Sequence, residues 1–398
     1  MVTLIGMGSG KWEALSAQAQ QAVRSAGLVF GAKRLLAGLP ADCMARQFAF
    51  YQPADILETL AQNPGLDAAV LYSGDTGFYS GASGLLTPLR ALGIPARVYP
   101  GVSSIQLLSA ALGRPWQDWK LVSAHGCACD PVAECMMNRS VFFLTGGTET
   151  PASLCQKLTD AGMGEAHGVV GETLGTAAEA IRYGSAAELA GQSFAPLSVL
   201  LVENFDLPQL RAPGFPDESF IRSEVPMTKQ EVRAAALAKL AVMPTDTLWD
   251  VGAGTGSVSV ELALAAPKGR VYAVECEPDA CELIRKNRAK FQTYNLILIE
   301  GRAPDVLADL PAPDAVFIGG TKGGMEAVLD EVLGKNPNAR ICISAIALET
   351  LGAAIAALTA RGLTAEVTQI AVSRTKPAGR LRLLMANNPI FLITGTRK

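Results

Sequence analysis

The residues best placed to do chemistry are Asp250-Val251-Gly252-Ala253-Gly254-Thr255-Gly256. Leu248 and Trp249 ahead of them belong to an apolar strand, and Ser257 to Ala263 behind them open a helix, so the glycines sit in a strand-turn-helix. Such a turn lets backbone amides close on a nucleotide at the helix N-terminus. Arg270 to Glu275 reads as the next strand and ends in an acid, nineteen residues past Gly256, that can hold ribose hydroxyls. A dinucleotide fingerprint read from Gly252 and Gly254 needs glycine at 257, and Ser257 stands there, so the pyrophosphate reading weakens. The bland alternative, a glycine turn that only packs a helix onto a sheet, is opposed by turn, strand and acid occurring together.

The turn with Glu275 resembles the S-adenosylmethionine site of class I methyltransferases, which implies Asp250, Gly252, Ala253, Gly254, Thr255, Gly256 and Glu275 as cofactor residues. The elements that must carry it fit a chain of 398 residues with 49% apolar and 18% charged composition, enough for about two domains with full cores. The first ten residues lack a basic, then apolar, leader, and no stretch approaches a membrane span, so a cytoplasmic enzyme with no membrane partner is expected. Eight irregularly spaced cysteines read as reduced thiols. A net charge of −3 argues against a broad nucleic-acid surface.

Along the first half, apolar strands repeatedly end in small-residue loops. These are Val2 to Ile5 with Gly6 to Gly10, Ala68 to Tyr72 with Ser73 to Tyr79, Ala96 to Tyr99 with Pro100 to Ser104, and Val141 to Leu144 with Thr145 to Gly147. In open α/β sheets ligands gather at such carboxyl ends. Ser103 with Gln106 reads as a capping box, Thr150 as an N-cap before Pro151, and Ser198 to Asn204 as a closing strand. His125-Gly126-Cys127-Ala128-Cys129 matches no standard zinc spacing, and the other histidine is His167, so no metal is expected. His125 and Glu172 instead read as hydrogen-bonding groups at a substrate cleft, with a helix cap as the alternative for Glu172.

Taken in order, these loops resemble the tetrapyrrole methylases over residues 1 to 205, with Ser9 and Thr76 where that family has proline. The resemblance implies a two-subdomain (class III) fold with a second S-adenosylmethionine in the cleft, lined by Gly8, Gly74, Asp75, Phe78, Ser103, Ser104, Leu144 and Thr145.

Residues 207 to 219, rich in proline and charge, read as a linker between domains 1–206 and 220–398. Met227 to Glu231 reads as a capping box for a helix over 232–242. Leu296 to Glu300 ends in Gly301-Arg302-Ala303-Pro304, and Asp314 to Ile318 ends in Gly319-Gly320-Thr321-Lys322. Where base-flipping adenine methylases carry an Asn/Asp-Pro-Pro-aromatic loop, these glycines leave room for something bulky. Arg340 to Ala345 reads as a strand, and Leu348 to Arg361 as a helix capped by Gly362. The last 32 residues hold no acid but six cations, Arg374, Lys376, Arg380, Arg382, Arg397 and Lys398, which suit either a polyanion or a solvated hairpin.

This half resembles the decarboxylating corrin methyltransferases, with an α/β, Rossmann-like class I fold. The resemblance adds Thr228, Gly301 and Ala303 to the cofactor site. It implies a bifunctional enzyme, one S-adenosylmethionine per domain, that methylates a corrin precursor at meso carbons 5 and 15 and removes the ring C acetate. It also implies a small-molecule tetrapyrrole partner and a homo-oligomer. Lys322, Arg374, Arg380 and Arg382 are then expected to fix substrate carboxylates. Two other classes compete, an RNA or protein methyltransferase with an unrelated front domain and a non-catalytic tetrapyrrole carrier. The acidic balance and glycine loop oppose the first, the intact turn and Glu275 the second.

Overall fold

The computed structural model describes residues 1–204, 207–208 and 212–397. It divides into two compact units, Met1–Cys129 with Ser140–Thr159 and Gly164–Glu203, and the chain from Asn204 onward with Asp130–Arg139 and Asp160–Met163.

The first unit holds two sheets. One is fully parallel, in the order Arg46–Phe48, Leu28–Phe30, Ala68–Tyr72, Val2–Gly6, Ala96–Tyr99. Its central strands Val2–Gly6 and Ala68–Tyr72 are buried at every residue, because helices cover both faces of a parallel sheet and leave no side for polar alternation. Parallel direction brings the loops after Gly6, Tyr72 and Tyr99 to one edge. The other sheet, in the order Lys120–Ser123, Ser140–Leu144, Ser198–Glu203, His167–Glu172, Ala180–Ser185, is parallel only in its first pair.

The second unit is a seven-stranded sheet ordered Leu296–Glu300, Arg270–Glu275, Thr247–Val251, Ala315–Ile318, Arg340–Ala345, Ile390–Thr396, Thr364–Ile370. The first five are parallel, and Ile390–Thr396 runs antiparallel to both its neighbours, Arg340–Ala345 and Thr364–Ile370. Strand order reverses between Thr247–Val251 and Ala315–Ile318, the position at which open α/β sheets leave a crevice for a ligand. Side chains alternate across each strand, so Leu248 joins the core under helices Gln230–Leu240 and Ser257–Ala265, while Trp249 and Val251 join the core under Met325–Lys335 and Leu348–Ala360. Between strands 364–370 and 390–396 a separate hairpin, Ser373–Ala378 with Leu381–Ala386, stands with most side chains exposed. Among the described residues no helix is long and apolar enough to cross a membrane.

Two sequence expectations change. The linker read at 207–219, of which 209–211 lie outside the described residues, ends as part of the second core: Phe215 and Asp217 are buried, and the Gly214 and Phe215 N–H groups donate to Glu261 at 2.6 and 3.1 Å. The expected capping box at 228–231 does not form. The helix starts at Gln230 with Lys229 at its N-cap and no side-chain cap, because the Glu231 carboxylate is held by Arg374 at 2.8 Å instead. The expected helix start at 103 and cap at Thr150 are both seen, Ser103 N–H donating to Gln106 at 2.8 Å and Ser153 N–H to Thr150 at 3.1 Å.

Candidate active sites

In the second domain the strand Thr247–Val251 passes into Gly252, Gly254 and Gly256, all left-handed (φ 73, 56 and 74°), before helix Ser257–Ala265. Only glycine enters that region at little cost. Close approach makes a second demand at Gly252, where a Cβ would lie 2.3 Å from the Gly320 carbonyl oxygen. Gly320 itself faces open space. The Val225–Pro226 segment runs against the turn, a Cβ on Gly254 meeting the Pro226 carbonyl at 3.2 Å, and half-buried Thr228 follows it.

Glu275 ends the neighbouring strand and accepts from the N–H groups of Gly254 (2.8 Å), Cys276 (2.8 Å) and Glu277 (3.0 Å). A carboxylate offers about four lone-pair sites, so an acceptor remains for ligand hydroxyls. The nearly buried Ala303 follows Gly301 at the end of strand Leu296–Glu300. The Thr255 hydroxyl and one Asp250 carboxylate oxygen are buried without a hydrogen-bond partner. These unpaired groups beside a left-handed glycine turn fit a nucleoside methyl donor, which brings its own donors and acceptors.

Asp250 lies on the helix side of the strand, 1% exposed, with the Ser259 hydroxyl donating to it. Burial pushes its carboxyl up to about 7; the Ser259 bond opposes this, and the Glu275 charge adds to it. Between its ordinary 3.8 and 7 the folded chain therefore holds a proton that the unfolded chain has lost. That contribution to stability is present below about pH 4 and is lost as pH rises to 7, with a slope of at most about 1.4 kcal/mol per pH unit. Asp250→Asn is expected to flatten this slope. Urea unfolding at pH 5 and pH 8 checks it, and an equal pH dependence in both proteins would exclude Asp250 as the cause.

The cations expected at the substrate are placed differently from one another. Lys322, left-handed at φ 48°, pairs with Glu277, which raises the ammonium and holds the carboxyl below the usual range. Arg374 is bidentate to Glu231 at 2.8 and 2.9 Å and 3.5 Å from Asp217, so its fork is already occupied. Arg380 and Arg382 are exposed on the hairpin. Lys398 lies outside the described residues.

In the first domain, Gly8 and Gly74 exchange backbone hydrogen bonds at 3.1 and 2.9 Å and bind two of the loops together. Asp75 ties in the third, accepting from Gly77 N–H (2.8 Å) and Gly101 N–H (3.0 Å). The contact is so close that a Cβ on Gly101 would lie 2.3 Å from the Gly74 carbonyl. Phe78, half-buried, packs on Phe142 and Tyr79. Ser103 is buried at the start of the helix whose first residue is Ser104. Buried Thr145 donates to the Ser198 carbonyl at 2.6 Å, and the carbonyl of Leu144 accepts from Ala124 N–H at 2.9 Å.

His125 Nδ1 sits 3.2 Å from the Thr145 carbonyl, so this nitrogen is the donor and Nε2 stays available. Its ring lies on Gly146, where a Cβ would fall 1.8 Å from it. Glu172 is neither cleft group nor helix cap. It is buried, pairs with Arg182 at 2.5 Å and accepts from Ala195 N–H at 2.7 Å; burial pushes its carboxyl up, but these partners hold it lower than usual overall. The sequence reading missed Ser259 and Asp217. The signal for Ser259 was a hydroxyl within the first turn of a helix that proves buried from Ser257 to Leu264.

Residues 1–190 match the tetrapyrrole (corrin/porphyrin) methylases and residues 219–397 the precorrin methyltransferase domain. A precorrin-6Y C(5,15)-methyltransferase (decarboxylating) of Sinorhizobium is 32% identical over 338 residues, 83% of this chain and 81% of its own. A probable cobalt-precorrin-6B C(15)-methyltransferase (decarboxylating) of Pyrobaculum calidifontis is 46% identical over 187 residues, 46% of this chain and 95% of its own. The crystal structure of precorrin-6Y C5,15-methyltransferase from Geobacter metallireducens aligns with a TM-score of 0.46 and 37% identity, covering 48% of this chain and all of that one.

Proposed function

The chain belongs to the precorrin-6Y C5,15-methyltransferase (decarboxylating) family, and from that premise we propose a division of labour in which the first domain methylates meso carbon 5 and the second methylates carbon 15 and releases the ring C acetate. Precorrin-6B then becomes precorrin-8. The observation that carries this reading is the presence of both families in one chain, each with its loops gathered at the carboxyl edge of a sheet.

S-adenosylmethionine, when bound, supplies a methyl group that is already electrophilic. The protein's task is then alignment, since a reduced tetrapyrrole meso carbon is an enamine-type nucleophile and no nucleophilic triad is required. Gly252 to Gly256 would present backbone to the donor, Glu275, already accepting from Gly254 N–H, would accept from its ribose, and Gly320 leaves the crevice open toward the ring. In the first domain Gly8, Gly74, Asp75 and Gly101 hold three loops in one rigid rim. For decarboxylation the ring serves as electron sink, and the chain's part is to fix the other carboxylates while leaving the departing one poorly solvated.

Arg380 and Arg382, exposed and without a carboxylate within 4 Å among the described residues, suit that fixing better than Arg374, which Glu231 occupies. Replacing both by glutamine is expected to raise the tetrapyrrole KM about tenfold, the scale of one charge-assisted hydrogen bond, with donor affinity unchanged. Unaltered KM removes them from the site. The expected homo-oligomer is consistent with exposed Leu381, Leu383, Leu384 and Met385 on the same hairpin, and light scattering reports the mass.

Incubation with precorrin-6B and S-adenosylmethionine, followed by mass analysis, tests the whole reading. Two methyl gains with one carbon dioxide loss are expected; an RNA or protein methyltransferase or a passive carrier leaves the macrocycle unchanged.

A further inference from the structure

We propose that Arg34 is the carboxylate anchor of the first domain's cleft, gripping one side-chain carboxylate of the macrocycle; the inference rests on the tetrapyrrole reading above. Arg34 belongs to the short helix Lys33–Leu36, which follows strand Leu28–Phe30 at the carboxyl edge of the parallel sheet. Its Nη2 donates to the Ser73 hydroxyl at 2.5 Å. Its Nη1 lies 3.8 Å from where a Cβ on Gly10 would stand. The guanidinium therefore reaches both loops that the Gly8 and Gly74 hydrogen bonds bring together. Gly10 is pinned in turn, since a Cβ on Gly38, just beyond the helix, would lie 2.6 Å from its carbonyl.

Arg34 combines contact with both loops and the lack of an acid. Arg114, Arg182, Arg233, Arg285, Arg361 and Arg374 each pair with a carboxylate, whereas among the described residues none lies within 4 Å of Arg34. Partial desolvation against the loops lowers its pKa, and no neighbouring anion offsets that shift. A planar fork with five donors, held at one end by a serine and open to solvent at the rim, is built for a carboxylate that arrives from outside. Two ligands of this cleft carry one, the macrocycle and the donor's amino-acid end. The exposure of Arg34 favours the macrocycle, because the donor is expected against the interlocked backbone of the glycine loops.

The test compares wild type, Arg34→Gln and Arg34→Lys in the full chain, with precorrin-6B and methyl-labelled donor. Methyl transfer at each meso carbon is followed separately by NMR. For one of the two transfers, Arg34→Gln is expected to raise the macrocycle KM ten- to a hundredfold. The other transfer and both donor KM values stay within twofold, and Arg34→Lys, which keeps charge but not the fork, falls between. Equal macrocycle KM in all three proteins overturns the proposal. So does a selective rise in donor KM, which assigns Arg34 to the donor's own carboxylate. Wild type that methylates no macrocycle defeats the functional reading itself, before any variant is compared.

Discussion

Gly252→Val is expected to cut donor binding from two sites per chain to one and to abolish one methyl transfer together with carbon dioxide release, while the first domain's transfer persists. Two costs coincide at this residue. A side chain at φ 73° is strained by about 1–2 kcal/mol, and its Cβ would sit 2.3 Å from the Gly320 carbonyl, a backbone atom that no rotamer change can move aside. Relief requires the end of strand Thr247–Val251 to separate from the 319–320 loop, which is held by Gly319 N–H donating to the Val251 carbonyl at 2.9 Å. That separation opens the crevice in which the donor and ring must be aligned. A further cost of about 1–3 kcal/mol from overpacking lowers the second domain's unfolding midpoint as well. Titration calorimetry with S-adenosylhomocysteine counts the sites. Two intact sites in the variant would show that the glycine turn does not hold the donor. Gly334→Ala, in helix Met325–Lys335 with open space around its Cβ, is the control expected to leave both transfers nearly unchanged.

The turn was legible in sequence because glycine spacing, an apolar strand and a distant acid are all local patterns. Strand Thr247–Val251, helix Ser257–Ala265 and strand Arg270–Glu275 fall where the alternation places them. What sequence spacing could not reveal is how side chains are spent once the chain folds. Glu231 looked like a capping residue because Thr228 stands three positions before it, yet Arg374, distant in sequence, takes its carboxylate. Residues 213–219 looked like linker because proline, glycine and charge dominate them, yet Phe215 is buried and Asp217 meets an arginine inside the core. Glu172 looked available, and Arg182 on the paired strand claims it. In the first domain the glycines and Asp75 were visible as loops, but their mutual hydrogen bonds depend on three strands lying side by side, which composition does not encode. Arg34 carried no motif at all; its interest lies in the missing partner.

Arg233→Met is expected to destabilise the second domain by about 3–5 kcal/mol, the scale for breaking a buried ion pair from one side. The guanidinium is fully buried and pairs with Asp217 and Glu261, each at 2.8 Å. It also donates to the carbonyls of Thr228 and Phe215 and lies over the Phe220 ring at 4.6 Å. Removing it leaves the buried Glu261 carboxylate without a cation, Asp217 with only Arg374 at 3.5 Å, and two carbonyls without a donor, and methionine replaces none of them. The loss also reaches the active site, since Thr228 follows the Val225–Pro226 segment that lies on the glycine turn. Donor affinity in the second pocket should therefore fall along with stability. Arg233→Met combined with Asp217→Asn and Glu261→Gln removes the orphaned charges and is expected to recover much of the stability but little of the donor affinity, because the Thr228 carbonyl still lacks its donor. Chemical unfolding and calorimetry on both variants separate the two effects. If the single substitution cost less than about 1 kcal/mol, the buried triad would not be what fastens residues 213–229 to the second domain.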